Sequence, residues 1–329
     1  MMTTRPVRIS GVGAYAPEKV LTNADLEKMV DTTDEWITTR TGIRERHIAA
    51  DDVPSSTLGI EAAKKALAHA GVQASALDMI IVATITPDYI YPATATIVQE
   101  AIGAVNAWCY DIEAACSGLI YGITIAEQFI RIGRAERVLV IAPETLSKIT
   151  DWQDRNTCVL FGDGAGAVVV EAAVDDSRIL ASYIGGDGKY GDLLFMPGGG
   201  SLNPASEKSV AERMHYMKMS GGSVMKAAVG AMEMAVTKAM ESAKLTPMDI
   251  DLIIPHQANM RIIQSVARFL EVDMAKMYTN LERYGNTSAA SIGLALNEAI
   301  ERGIVRKGSV VALVAFGGGF TWGSTIVRF

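Results

Sequence analysis

Asp251-Leu-Ile-Ile254 repeats Asp78-Met-Ile-Ile81 at a distance of 173 residues (251 − 78), and this repeat decides how the chain is read. Each is a short apolar run of strand length, of the kind a parallel sheet buries on both faces. The same shift carries Ala70 to Ala243 at the ends of two helical stretches, Thr57 to Ala70 and Lys226 to Ala243. It also carries Val138 to Val311 and Ala142 to Ala315 in a second pair of buried strand-like runs. One constant offset through helix ends and strands marks an internal duplication. The expected architecture is α/β in two halves, residues 1–175 and 176–329. They meet near Ala173 to Arg178 without a Gly/Ser linker, so tight packing between them is expected.

The duplication gives a second stretch its meaning. In Asp111-Ile-Glu-Ala-Ala-Cys116-Ser-Gly118, a strand-like run from Ala107 to Ile112 leads into apolar residues at helical spacing through Arg131. Cys116 therefore stands at a strand-to-helix junction, where the unpaired N–H groups of the first turn favour thiolate and hence a nucleophile. A buried, inert cysteine is the plainer reading of this stretch taken alone. Shifted by 173, Cys116 falls on Ala289 within Gly285-Asn-Thr-Ser-Ala-Ala-Ser291, which again precedes an apolar helix, Ile292 to Ile300. Two equivalent loops are thus expected to face one another across a pseudo-twofold axis, one with a cysteine and the other with Asn286.

His256 ends the run Asp251-Leu-Ile-Ile254-Pro, at the kind of strand end where α/β proteins gather ligands. His47, His69 and His215 are expected to be surface or structural residues. Phe316-Gly-Gly-Gly319 closes another buried strand and suggests close backbone approach to a ligand or neighbour. Gly11-x-Gly13-x-x-Ala16 is not read as a dinucleotide site, because Pro17 interrupts the helix such a site needs. Gly162-Asp-Gly-Ala-Gly166 is read as a tight bend between two strand segments, Cys158 to Phe161 and Ala165 to Val170.

Composition narrows the class. With 49% hydrophobic and 20% charged residues the chain has ample core for a globular protein. A net charge of −7 argues against general nucleic-acid binding, though not against a local basic patch. Three cysteines in 329 residues argue against a disulfide framework and fit a reducing, cytoplasmic setting. No signal peptide is expected from MMTTRPVRIS, no run reaches spanning length, and no histidine pair has metal-ligand spacing.

In order along nearly the whole length, the chain resembles the β-ketoacyl-acyl-carrier-protein synthase III family. The resemblance rests on Asp34-Glu-Trp-Ile37 with Arg40-Thr-Gly-Ile-Arg44, Ala114-Ala-Cys116, Pro255-His-Gln-Ala-Asn259, Gly285 to Ser291, and Ala315-Phe-Gly-Gly-Gly-Phe-Thr-Trp-Gly323. It implies a thiolase fold, two βαβαβαββ halves in five αβαβα layers, as a homodimer. It implies decarboxylative condensation of an acyl-CoA, acetyl-CoA first, with malonyl-acyl-carrier protein through an acyl-Cys116 intermediate. Acyl-CoA is then a substrate, and no cofactor, metal, membrane or nucleic acid is called for.

The resemblance further implies roles. His256 and Asn286 would stabilise the malonyl enolate, the N–H groups of Cys116 and Gly318 the acyl oxyanion, and Phe316 would face the malonyl carboxylate. Trp36 and Arg155 would sandwich the adenine of CoA, with Arg40 at its phosphates and Asn259 also in the CoA site. Lys226, Arg261 and Arg268 would receive the acidic carrier protein. Tyr91 would close the partner subunit's acyl pocket, and its bulk implies short primers, acetyl or propionyl. Phe269 and Gly222 stand where the family often has lysine and asparagine, which bears on carrier docking rather than chemistry.

Other classes remain in view: a natural-product ketosynthase taking another acyl-CoA, a Cys-His-Asn acyl-CoA hydrolase, and a non-catalytic acyl-CoA-binding scaffold. Thiolases carry a second cysteine before the C-terminal glycine run, where this chain has Phe316. Elongating ketosynthases use two histidines, where this chain offers His256 and Asn286.

Overall fold

A computed structural model describes residues 5–329. The frame begins with β1 (Val7–Tyr15), α1 (Asp34–Thr41), α2 (Ser55–Ala70), β2 (Met79–Ala83), α3 (Thr94–Ile102) and β3 (Trp108–Ile112). Next come α4 (Gly118–Arg131), β4 (Arg137–Thr145), β5 (Asp163–Ala172) and β6 (Arg178–Gly186). The chain continues with α5 (Gly221–Ala243), β7 (Leu252–Pro255), α6 (Met260–Phe269), α7 (Ala290–Glu301), β8 (Val310–Gly317) and β9 (Thr321–Arg328).

One sheet has the order β1-β5-β4-β2-β3 and the other β7-β8-β9-β6. The 173-residue shift carries β1, β4 and β2 onto β6, β8 and β7, and β5 and β9 hold the same place in the sheet order, so the two sheets share one winding. The fifth strand of the second sheet is reduced to an isolated parallel bridge between Ile253 and Met277. The paired aspartates of the repeat do the same work in both sheets. Asp78 Oδ2 accepts the N–H of Arg137 at 3.0 Å, and Asp251 Oδ2 accepts that of Val310 at 2.8 Å, each fixing the register of a parallel strand pair.

Strand periodicity builds five layers. On one face of the first sheet Ile80, Val82, Leu139 and Ile141 pack under α2 and α3. From the other face Met79, Ile81, Val138 and Val140 point inward to α4 and α7, which they share with Leu252, Ile254, Val311 and Leu313 of the second sheet. The outer face of that sheet, including Ile253, Ala312 and Val314, lies under α5 and α6. The layer order is helix, sheet, helix, sheet, helix, the thiolase fold.

Glycine explains two motifs. A Cβ on Gly11 or Gly13 would come within 2.3 Å of the Ala66 backbone, so both let α2 lie directly on β1. Gly162 to Gly166 is no tight bend: β5 starts at Asp163, and a Cβ on Gly166 would lie 2.6 Å from Gly293 Cα. The residue type answers to helix–sheet contact with α7. Nor is Cys158 to Phe161 a strand, since Asp154 caps a short helix over Arg155–Cys158 through Asn156 N.

Candidate active site

Cys116 lies in a single 3-10 turn, Ala115–Ser117, between β3 and α4. Ala115 holds a left-handed φ of 44°, which aims the next side chain out of the strand direction. Its counterpart one repeat on, Ser288, has a φ of 50°, so both halves make the same strained elbow. The elbow is clamped from the β8–β9 turn: Thr321 Oγ1 donates to Ala114 O at 2.7 Å, and Ser117 Oγ donates to Thr321 O at 3.1 Å. Gly317 sits where a Cβ would be 2.6 Å from Cys116 N, the close approach expected of this glycine run.

A cavity of about 500 Å³ has Cys116, His256, Asn286 and Phe316 on its wall, and Trp36 and Arg40 on the same lining. His256 is held after β7 by its N–H donating to Val314 O at 2.7 Å, and its Nδ1 lies 2.7 Å from Ser291 Oγ. Its Nε2 is buried and has no hydrogen-bond partner among the described residues. The ring meets Phe316 edge-on, with centroids 5.7 Å apart. Asn286 is pinned through its backbone to Leu160 O and Gly162 N, while its Oδ1 accepts Ser288 N at 2.9 Å. With that oxygen engaged, the amide NH2 is the group left for a ligand. His256 Nε2 and the Asn286 amide nitrogen, neither with a hydrogen-bond partner among the described residues, thus share one cavity with a cysteine.

Burial dominates the electrostatics. It pushes the Cys116 thiol up to about 12, so the expectation of a resting thiolate is corrected. The helix-end N–H groups do not offset the loss of water around the sulfur, and the nearby Glu144 raises the value further. His256 is lowered to about 3 by the same desolvation and is therefore neutral. Glu144 is fully buried with no cation beside it and is raised to about 7, despite hydrogen bonds from the hydroxyls of Thr86 and Thr84. Sequence reading missed Glu144 and Ser291. The lone acid in Ala142-Pro-Glu-Thr145 was the available signal, since an unpaired carboxyl in an apolar strand is expensive.

At the cavity mouth, Thr33 Oγ1 caps α1 by accepting Trp36 N at 3.1 Å. The guanidinium carbons of Arg40 and Arg155 stand 4.9 and 4.8 Å from the indole centroid. Arg155 is further held by donating to Asp31 O at 2.7 Å. Asn259 caps α6 by accepting Arg261 N at 2.9 Å, and both residues line the cavity, as does Gly222. Lys226 on α5 and Arg268 on α6 are exposed and outside the lining, and Phe269, next to Arg268 in sequence, is also exposed. Gly318 lies one residue into the turn against Leu194 O and is not part of the lining. Tyr91 is 85% exposed and outside the cavity of its own chain. The other histidines serve structure: His47 stacks on Tyr284, His69 meets the Val12 backbone, and His215 meets Ser209.

Among the described residues no group of three or more His, Cys, Asp or Glu could hold a metal ion. No described helix is long and apolar enough to cross a membrane.

Comparison with known proteins gives the family. Residues 110–188 match the family model for 3-oxoacyl-[acyl-carrier-protein] synthase III, and residues 240–329 match the model for its C-terminal part. A β-ketoacyl-[acyl-carrier-protein] synthase III of Caldanaerobacter subterraneus is 54% identical over 321 residues, 98% of this chain and 97% of the relative. That of Symbiobacterium thermophilum is 51% identical over 328 residues, 100% of this chain and 99% of the relative. Among solved structures, the 3-oxoacyl-[acyl-carrier-protein] synthase III of Aquifex aeolicus superposes with a TM-score of 0.91 at 46% identity, covering 98% of this chain and 100% of that one. The priming β-ketosynthase of the R1128 polyketide pathway superposes at 0.92 with 34% identity, covering 100% and 98%. By sequence over its whole length, and by the superposition of its layers, the chain belongs to the β-ketoacyl-acyl-carrier-protein synthase III family of condensing acyltransferases.

Proposed function

We propose that this chain initiates fatty-acid synthesis by condensing acetyl-CoA with malonyl-acyl-carrier protein, releasing CoA and CO2 and leaving a 3-oxoacyl group on the carrier. The observation that carries the reading is one cavity lined by a cysteine, a neutral histidine and an asparagine in a member of this family. Cys116 Sγ attacks the thioester carbonyl carbon, and the thiol proton goes to the departing CoA sulfur. Malonyl thioester then enters and its carboxylate leaves as CO2. The bonding pair passes into the thioester carbonyl, whose oxygen gains charge beside His256 Nε2 and the Asn286 amide. Fixed donors in a dry site stabilise such an oxyanion far better than in water. The enolate carbon attacks the acyl group, the C–S bond breaks, and the departing thiolate takes a proton from water entering the emptied cavity, restoring the thiol that burial favours.

Phe316 suits the malonyl carboxylate because an apolar face disfavours that charge until it departs. The N–H groups of Cys116 and Gly318 serve the acyl oxyanion. Trp36, Arg40, Arg155 and Asn259 receive CoA, and Lys226, Arg261 and Arg268 receive the carrier. Dimerisation is favoured by the free outer edge of β3 in the first sheet and by the exposed Tyr89, Ile90, Tyr91 and Trp108, and it would bring Tyr91 to a neighbouring pocket. A reducing cytoplasm suits the free thiols of Cys109, Cys116 and Cys158.

Incubation with acetyl-CoA alone, followed by intact mass, tests the reading. An acetyl group on Cys116, absent in Cys116→Ala and discharged by malonyl-acyl-carrier protein, is the expected result. Free acetate without a dischargeable adduct would instead make the chain a hydrolase, and no adduct at all a binding protein.

A further inference from the structure

His256 Nδ1 and Ser291 Oγ are 2.7 Å apart, and the Gln257 N–H reaches the same oxygen at 3.4 Å. A serine hydroxyl has one proton and two lone pairs. Gln257 uses one lone pair, and among the described residues His256 Nδ1 is the one acceptor in reach of the proton. Were the imidazole to donate from Nδ1 instead, Ser291 would hold two incoming donors and a proton with no acceptor, inside a residue that is 2% exposed. The arrangement that satisfies every group has Ser291 donating to Nδ1, which leaves the ring proton on Nε2.

The other half of the molecule shows what this contact replaces. Ser291 and His256 correspond, 173 residues back, to Gly118 and Ala83. There a Cβ on Gly118 would meet Ala83 Cβ at 2.8 Å, so that pair is plain apolar packing of a helix start on a strand end. At the same place in the second half, a hydroxyl and an imidazole take the place of hydrogen and methyl. Ser291 thus stands where the first half has a purely structural contact.

We infer that Ser291 is a positioning residue that fixes the His256 tautomer, so that Nε2 carries a hydrogen into the cavity and can only donate. This makes His256 a hydrogen-bond donor to an oxyanion throughout the cycle and not a base for Cys116. The kinetic part of its test rests on the condensing reaction proposed above; the tautomer itself does not.

Nitrogen-15 NMR of histidine-labelled protein decides it, because the chain has four histidines and each can be assigned by His→Gln replacement. The expected resting signature is a protonated Nε2 and an unprotonated Nδ1 at His256. A protonated Nδ1, or an imidazolium at neutral pH, overturns the inference. In Ser291→Ala the signature should become mixed, and the malonyl condensation step should fall about tenfold or more, further than acyl transfer to Cys116. Ser291→Thr, which keeps the hydroxyl, should restore the signature and most of the rate. An unaltered signature in Ser291→Ala overturns the assignment even if activity falls. If Ser291→Ala does not fold, the wild-type spectrum still decides between the two tautomers. Should the wild-type signature hold while no acetyl adduct forms, the proposed reaction fails and the tautomer assignment stands.

Discussion

Replacing Gly317 by alanine should disable Cys116 by displacing the elbow that presents it. The added Cβ would lie 2.6 Å from Cys116 N, 3.0 Å from Ala114 O and 3.1 Å from Ala115 Cβ. All three atoms belong to the elbow that presents the sulfur, so relief must come from there or from β8. Ordinary contact begins near 3.4 Å, which requires a displacement of about 0.8 Å. The elbow cannot simply swing away, because Thr321 and Ser117 tie it to the turn that carries the new methyl. Overpacking of this kind costs about 1–3 kcal/mol of stability. A nucleophile misplaced by about 1 Å loses about 100-fold in rate. The expected outcome is a folded protein whose melting temperature drops by a few degrees and whose acyl transfer from acetyl-CoA slows about 100-fold, followed by quenched intact mass. Gly188→Ala, where nothing lies within 4 Å of the new methyl, is the matched control and should do neither. Acylation of a folded Gly317→Ala enzyme within about threefold of wild type would refute the account of how the elbow is held.

Glu144→Gln should change how stability depends on pH. The folded-state value is raised from 4.5 to about 7, so the native state keeps a proton that the unfolded chain has released. That contribution is whole below pH 4.5 and is lost as pH rises through 7; relative to the variant, wild type should lose about 3 kcal/mol across this window in urea melts. Alkylation of Cys116 by iodoacetamide should accelerate steadily with pH through 9 without a plateau, as a thiol raised to about 12 requires; a plateau near neutrality would mean a stable thiolate. Trp36→Ala should raise the KM for acetyl-CoA only about fivefold, about 1 kcal/mol, because the free protein also loses its guanidinium stacking. Lys226→Glu with Arg268→Glu should raise the KM for malonyl-acyl-carrier protein and flatten its salt dependence, leaving acyl transfer from acetyl-CoA nearly as before.

The repeat made the frame readable because an apolar strand with an aspartate before it has few roles, and both copies of the aspartate hold the same register bond. Cys116, His256 and Asn286 were legible for the same reason, as strand and helix ends at fixed places in that frame. The protonation state of Cys116 was not. A helix N-terminus can be seen in a sequence, whereas the depth at which it is buried cannot, and here depth prevails. Gly166 was misjudged because glycine serves bends and close contacts alike; its meaning depended on Gly293, more than a hundred residues away. Ser291 and Glu144 went unnoticed because each matters through a neighbour brought by another element, Ser291 through the strand that ends at His256 and Glu144 through Thr84 and Thr86.

The indole of Trp36 already has two guanidinium groups for company before any nucleotide arrives. If Trp36 receives the CoA adenine as proposed, the base takes the place of a guanidinium, exchanging one stacked partner for another and gaining only the difference, on the order of 1 kcal/mol. A weakly retained visitor suits a doorway with two callers in succession, since spent CoA has to clear the threshold before a carrier arm can reach the loaded sulfur. On the proposed reading the entrance would work as a turnstile, its looseness letting the second half of the reaction begin.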